Sequence, residues 1–144
     1  MIRVVIADDH PVVRAGVRAL LDAETDIEVV GEAADADEAV ALSASLAPEL
    51  VLMDLQFGER AAGAEATRRI MKQSPCPILI VTATVSGNFD LVYQAMGAGG
   101  LDAVDTPGLG PNGTSTNAEA LLGRLAKLQA ALNRPNTSPS QSGF

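Results

Sequence analysis

Three short apolar runs each end on a side chain that carries oxygen chemistry. Ile2-Arg3-Val4-Val5-Ile6-Ala7 leads into Asp8 and Asp9, Leu50-Val51-Leu52-Met53 into Asp54, and Ile78-Leu79-Ile80-Val81 into Thr82. Runs this short, bounded by polar residues and separated by helix-like stretches, read as strands of a parallel sheet covered on both faces. In such a sheet the residues at the strands' carboxyl ends line a common crevice, and ligands bind there. Three carboxylates and a hydroxyl then meet in one place. Like charges held that close repel unless a proton or a cation intervenes. A hard divalent cation such as magnesium, which prefers oxygen ligands, would relieve the repulsion. Three unrelated aspartates would be the plainer account, but all three fall at the same end of their strands.

Strand and helix patterns alternate along the rest of the chain, the signature of a doubly wound α/β sheet. Pro11 suits the first turn of a helix, in which Val13, Val17, Leu20 and Leu21 recur at helical spacing. Residues 27–30 read as the second strand. Asp35 and Glu38 make a capping-box start, and Ala39, Leu42 and Leu46 follow on one face until Pro48 stops the helix. Short helices are expected over residues 64–71 and 89–96, the latter ended by Gly97, Gly99 and Gly100. Residues 101–104 read as the fifth strand and 118–132 as the last helix, with Leu121, Leu125, Leu128 and Leu132 in one stripe that packs on the sheet. The Gly- and Pro-rich stretch 107–116 reads as a surface loop. Residues 133–144 are Pro- and Ser-rich and read as a flexible linker or tail after a domain spanning 1–132.

Composition narrows the function. A formal charge of −8 argues against gripping nucleic acid or an anionic membrane, because phosphate contacts need a positive surface. No apolar stretch is long enough to span a bilayer and no signal peptide is evident, so the cytoplasm is the expected location. The single cysteine, Cys76, cannot form an internal disulfide and reads as a small core hydrophobe at a strand entrance. His10 has no second histidine to join it and reads as a helix-entry residue facing solvent.

The segments Val4-Val5-Ile6-Ala7-Asp8-Asp9-His10-Pro11, Val51-Leu52-Met53-Asp54-Leu55 and Ile80-Val81-Thr82-Ala83 resemble the receiver domain of bacterial two-component response regulators. The resemblance implies the flavodoxin-like, CheY-like fold, a five-stranded parallel sheet of order 2-1-3-4-5 with helices on both faces. It also implies that Asp54 accepts a phosphoryl group from a histidine kinase and that Thr82 senses the new oxygens. Asp8, Asp9, Asp54 and the backbone carbonyl of Gln56 would hold magnesium. The chemistry fits: a carboxylate is a competent covalent nucleophile, and a hydroxyl that moves to bind new oxygens makes a switch.

Two subfamilies are visible within the resemblance. Residues 1 to about 70 are similar to NarL/FixJ-type transcription regulators, most clearly in Ala7-Asp8-Asp9-His10-Pro11-Val12-Val13-Arg14-Ala15-Gly16-Val17. Residues from about 65 to 128 are similar to receivers of chemotaxis methylesterases of the CheB/WspF group, in Ala95-Met96-Gly97-Ala98-Gly99 and Leu101-Asp102-Ala103-Val104-Asp105-Thr106-Pro107. The second match is the more specific. It implies a receiver that regulates a methylesterase output domain, with no hydrolase activity expected of this chain. The receiver of a DNA-binding NarL/FixJ regulator is the alternative. Oligomeric state is not implied by either.

The chain departs from the receiver pattern in three places. The loop from Leu55 to Gly63 lacks the usual Pro and is one residue longer than common. Thr106 stands where a Lys is usual, and Ala103 where an aromatic often rotates, so a signal is expected to leave through backbone shifts around residues 83–88. Asp105 is expected to face away from the site. Two other classes share features with the chain. Aspartyl phosphatases commonly place a second Asp two residues after the nucleophile, and here that position is Gln56. A flavodoxin-like electron carrier would stack its flavin on aromatics, and this chain has one Tyr and no Trp.

Overall fold

Side chains alternate between the two faces of a strand, so a strand that is apolar at every position needs cover on both sides. The structure, a computed structural model, describes residues 1–56, 62–83, 85–109, 115–116 and 118–132. Strands β1 (Ile2–Ala7), β2 (Ile27–Ala33), β3 (Leu50–Asp54), β4 (Ile78–Thr82) and β5 (Asp102–Asp105) form one parallel sheet in the order β2-β1-β3-β4-β5. The connecting helices are α1 (Pro11–Asp22), α2 (Ala36–Leu46), α3 (Gly63–Gln73), α4 (Phe89–Gly97) and α5 (Ala118–Leu132). A 3₁₀ turn, Ser86–Asn88, leads into α4.

The alternation divides the core in two. Val4, Ile6, Leu50, Leu52, Leu79, Val81 and Val104 pack against Val17 and Leu21 of α1 and Leu121 and Leu125 of α5. Val5, Ala7, Val51, Met53, Ile78 and Ile80 pack the other way, against Ala39 and Val40 of α2, Ala66 and Ile70 of α3, and Val92 and Ala95 of α4. Each fully buried Leu or Ile contributes roughly 1.5–3 kcal/mol over exposure. A one-residue slip of a strand would exchange its two faces, so the packing fixes the register. The strand-end aspartates and Thr82 are thereby held at one edge of the sheet.

The helix ends follow their chemistry. Asp35 caps α2 by accepting a hydrogen bond from the Glu38 N–H at 2.8 Å, while the Glu38 side chain returns to the Ala34 N–H at 2.7 Å. Ala47 closes α2 in the left-handed region, at φ 46, immediately before Pro48. After α4 the chain turns through Gly99 at φ +122, a conformation that L side chains rarely adopt.

Four expectations shift. The second strand runs to Ala33, three residues past the apolar run, because it pairs with β1 along that strand's full length. Helix α3 extends from Gly63 to Gln73, since its exposed turns are polar. The fifth strand is Asp102–Asp105, and its last residue pairs with Thr82 although it is charged. The stretch 107–116 contains a two-stranded antiparallel ribbon, β6 (Gly108–Leu109) with β7 (Ser115–Thr116). The long loop after Asp54 falls at residues 57–61 and the tail at 133–144, both outside the described residues. No described helix is long and apolar enough to cross a membrane.

Candidate functional site

The crevice at the carboxyl edge of the sheet starts where β1 ends. Asp8 follows it at 8% exposure, and its Oδ1 accepts the His10 N–H at 2.8 Å, a turn that leads into α1 at Pro11. Arg14 on the next turn donates from Nη1 to the Asp8 carbonyl at 2.6 Å and from Nε to Glu32 Oε1 at 3.0 Å. The position of Asp8 is thus set from both α1 and β2. Asp54 ends β3, and its Oδ1 accepts the Gln56 N–H at 3.2 Å. The carboxylates of Asp8, Asp9 and Asp54 and the ring of His10 each offer a ligand atom, and these atoms lie within 4.8 Å of one another.

Gathering these groups has an electrostatic consequence. Burial pushes the Asp54 carboxyl up to about 7; the neighbouring charge of Asp8 and, less, of Asp9 push it the same way, and the Gln56 N–H opposes them. Burial also raises Asp8, with the His10 hydrogen bond and charge acting against it. A proton or a cation resolves such repulsion. The donor set consists of hard carboxylate oxygens, which suit magnesium or calcium better than a soft metal. The residues present therefore fit a magnesium site.

Thr82 ends β4 and is 1% exposed. It stands one residue past Val81, the register partner of Asp54. Its Oγ1 accepts a hydrogen bond from Asn88 Nδ2 at 3.1 Å. Asn88 Oδ1 in turn accepts from Gln56 Nε2 at 3.4 Å. Thr106 follows β5, and its N–H donates to the Thr82 carbonyl at 2.7 Å, so it sits beside Thr82.

All the residues singled out from the sequence thus gather at one edge: Asp8, Asp9, Asp54 and Gln56 at one end of it, Thr82 and Thr106 at the other. Asp105 is not the bystander expected. Its Oδ1 accepts the Val85 N–H at 2.8 Å and pins the segment that follows Thr82. His10 is exposed, as expected, but its Nδ1 lies 3.0 Å from Asp9 Oδ1 and 3.5 Å from Asp8 Oδ1, so it belongs to the cluster. Sequence reasoning assigned no role to Asn88 or Arg14. Both lie outside the apolar runs, and an Asn before a helix ordinarily signals only a cap. Cys76 is half-buried and its thiol is pushed up by burial, in keeping with a packing role.

Comparisons with known proteins agree with this geometry. Residues 4–108 match the response regulator receiver domain family. A protein-glutamate methylesterase/protein-glutamine glutaminase of Burkholderia lata is 45% identical over 145 residues, covering 94% of this chain and 42% of the relative. One from Cupriavidus metallidurans is 39% identical over 137 residues, covering 95% and 40%. The chain therefore spans about two fifths of the length of these curated relatives. The response regulator domain of Thermotoga maritima CheB superposes with a TM-score of 0.75 at 27% identity, covering 94% of this chain and 98% of that one. The signal receiver domain of a NarL response regulator from Mycobacterium tuberculosis gives 0.72 at 28% identity, with coverages of 89% and 96%.

Proposed function

The chain belongs to the response regulator receiver domain family, and from that premise we propose that Asp54 is its phosphoacceptor, loaded by a histidine kinase with magnesium as cofactor. The observation that carries the reading is the convergence of Asp8, Asp9 and Asp54 within 4.8 Å at the carboxyl edge of the sheet. As a carboxylate, Asp54 attacks the phosphorus of a phosphohistidine. The new bond joins phosphorus to an Asp54 oxygen, the phosphorus–nitrogen bond breaks, and the imidazole leaves with the electron pair and takes a proton from water. Asp8, Asp9, Asp54 and the Gln56 carbonyl would hold magnesium, which when bound neutralises charge on the transferring group. Thr82 donates its hydroxyl proton to a phosphoryl oxygen. Thr106 offers a neutral hydroxyl where an ammonium is usual.

The chain as it stands is a receiver, a regulatory domain, and we read its output as a methylesterase domain of the kind found in its relatives. The 45% identity to a methylesterase, over 94% of this chain, supports this reading. The acidic surface, with a net charge of −8, supports a receiver that does not itself hold nucleic acid or membrane. A cytoplasmic location goes with that reading.

Acetyl phosphate with magnesium should add one phosphoryl group by intact mass. The added mass should vanish when magnesium is chelated, and in Asp54→Asn. Equal labelling of Asp54→Asn would overturn the assignment.

A further inference from the structure

We propose that Asn88 is a positioning residue that orients the Thr82 hydroxyl toward the phosphoryl group. The inference rests on the reading of Asp54 as phosphoacceptor. Asn88 is the N-cap residue of α4, a position where asparagine ordinarily accepts a hydrogen bond from the helix's own first turn. Here its side chain makes no capping hydrogen bond. It is turned into the crevice, with Nδ2 donating to Thr82 Oγ1 at 3.1 Å and Oδ1 accepting from Gln56 Nε2 at 3.4 Å. The helix forgoes its cap, and the amide serves the site instead. Local rules of this kind are broken most often where function requires it.

The direction of the chain of hydrogen bonds gives it a purpose. A threonine hydroxyl has one proton to donate and two lone pairs to accept with. If it accepts from Asn88, its own proton is left for another acceptor. The Gln56 side-chain amide donates to the Asn88 carbonyl oxygen, which favours the amide orientation that leaves that proton for the phosphoryl group. Gln56 also donates its backbone N–H to Asp54 Oδ1 at 3.2 Å, so the relay starts at the phosphoacceptor and ends at the switch. The relay's support is itself hydrogen-bonded. Asp105 pins the Val85 N–H at 2.8 Å, and the Asn88 N–H donates to the Val85 carbonyl at 3.2 Å.

Asn88→Asp and Asn88→Ala separate direction from mere contact. An aspartate at this position only accepts, so it would draw the Thr82 proton to itself. An alanine leaves the hydroxyl free to rotate. The probe is beryllium trifluoride with magnesium, followed by amide and fluorine NMR, with magnesium affinity measured separately without the mimic. Asn88→Ala should bind the mimic about threefold more weakly and Asn88→Asp about tenfold or more, the worth of one hydrogen bond lost and one misdirected. Magnesium affinity should stay level or rise in Asn88→Asp, which adds a negative charge, and one bound-state fluorine resonance should move. If both variants lose magnesium and mimic in proportion, Asn88 is structural and the orientation role is overturned. If wild type binds the mimic and Asn88→Asp binds it equally well, the orientation role alone is overturned. A wild type that takes up no mimic overturns the phosphoacceptor reading and the role of Asn88 with it.

Discussion

If Asp54 is the phosphoacceptor as proposed, Thr106 is the residue expected to set how strongly the site holds a phosphoryl group. Its N–H is bonded to the Thr82 carbonyl, which places it at the end of β5 beside Thr82. A lysine there would bring an ammonium to the phosphoryl oxygens, and charge-assisted hydrogen bonds are roughly twice as strong as neutral ones. Thr106→Lys should therefore tighten binding of beryllium trifluoride with magnesium by about tenfold, read by NMR titration. No tightening would mean that the Thr106 side chain does not face the phosphoryl group. Asp105→Lys is no neutral control, because it removes the carboxylate that pins Val85. At this scale the sequence exposed residues that end apolar runs: Asp8, Asp9, Asp54 and Thr82. It hid Asn88, Arg14 and the function of Asp105, whose roles depend on where loops and helix turns bring a side chain. Periodicity carries no information about that.

Among the elements, two glycines mark the difference between what a pattern predicts and what packing requires. Gly63 opens α3 where the chain returns from the loop after Asp54, and its N–H donates to the Leu55 carbonyl at 3.0 Å. A Cβ there would stand 2.4 Å from the Asp54 carbonyl oxygen and 2.7 Å from both the Leu55 Cα and its carbonyl oxygen. These are backbone atoms and cannot swing aside. Gly63→Ala should cost about 1–3 kcal/mol in urea denaturation, and it should slow phosphorylation because Asp54 shifts with its backbone. Gly16 in α1 has nothing within 4 Å, so Gly16→Ala should stabilise by about 0.5–1 kcal/mol through helix propensity. Equal effects of the two substitutions would refute the close approach at Gly63. The helices and strands themselves were legible to within a few residues, because alternating and helical periods are written in the apolar residues. Their ends were less so. The fifth strand ends on charged Asp105, and the ribbon of β6 and β7 forms from a stretch that reads only as Gly- and Pro-rich.

The whole molecule couples its folding to the charge it gathers at one edge. The two-faced core holds the sheet edge fixed, so the carboxylates cannot spread apart to relieve their repulsion. Asp54 is pushed up to about 7 from an ordinary value of 3.8, chiefly by burial and by Asp8. In the unfolded chain it titrates at the ordinary value. Between about pH 4 and about pH 7 the native state therefore holds a proton that the unfolded state has released. Stability is greatest at the acid side of that window, falls as pH rises through it, and levels off above. Asp8 is raised too and acts in the same direction. Glu32 acts oppositely, because the hydrogen bond from Arg18, reinforced by Arg14, holds it below its ordinary 4.5. Its contribution is lost as pH falls through and below that value, at the acid end of the window. Without added divalent cation, the urea midpoint should drop between about pH 5 and about pH 7.5. Asp54→Asn should flatten most of that drop, since an amide has no proton to lose. Excess magnesium should reverse it, because a ligand that binds only the native state adds about 2.7 kcal/mol at a hundred times its dissociation constant, and its carboxylate partners are free of protons at the higher pH. A midpoint that does not change with pH in wild type, or a drop that persists undiminished in Asp54→Asn, would show that the strain of the site does not reside at Asp54.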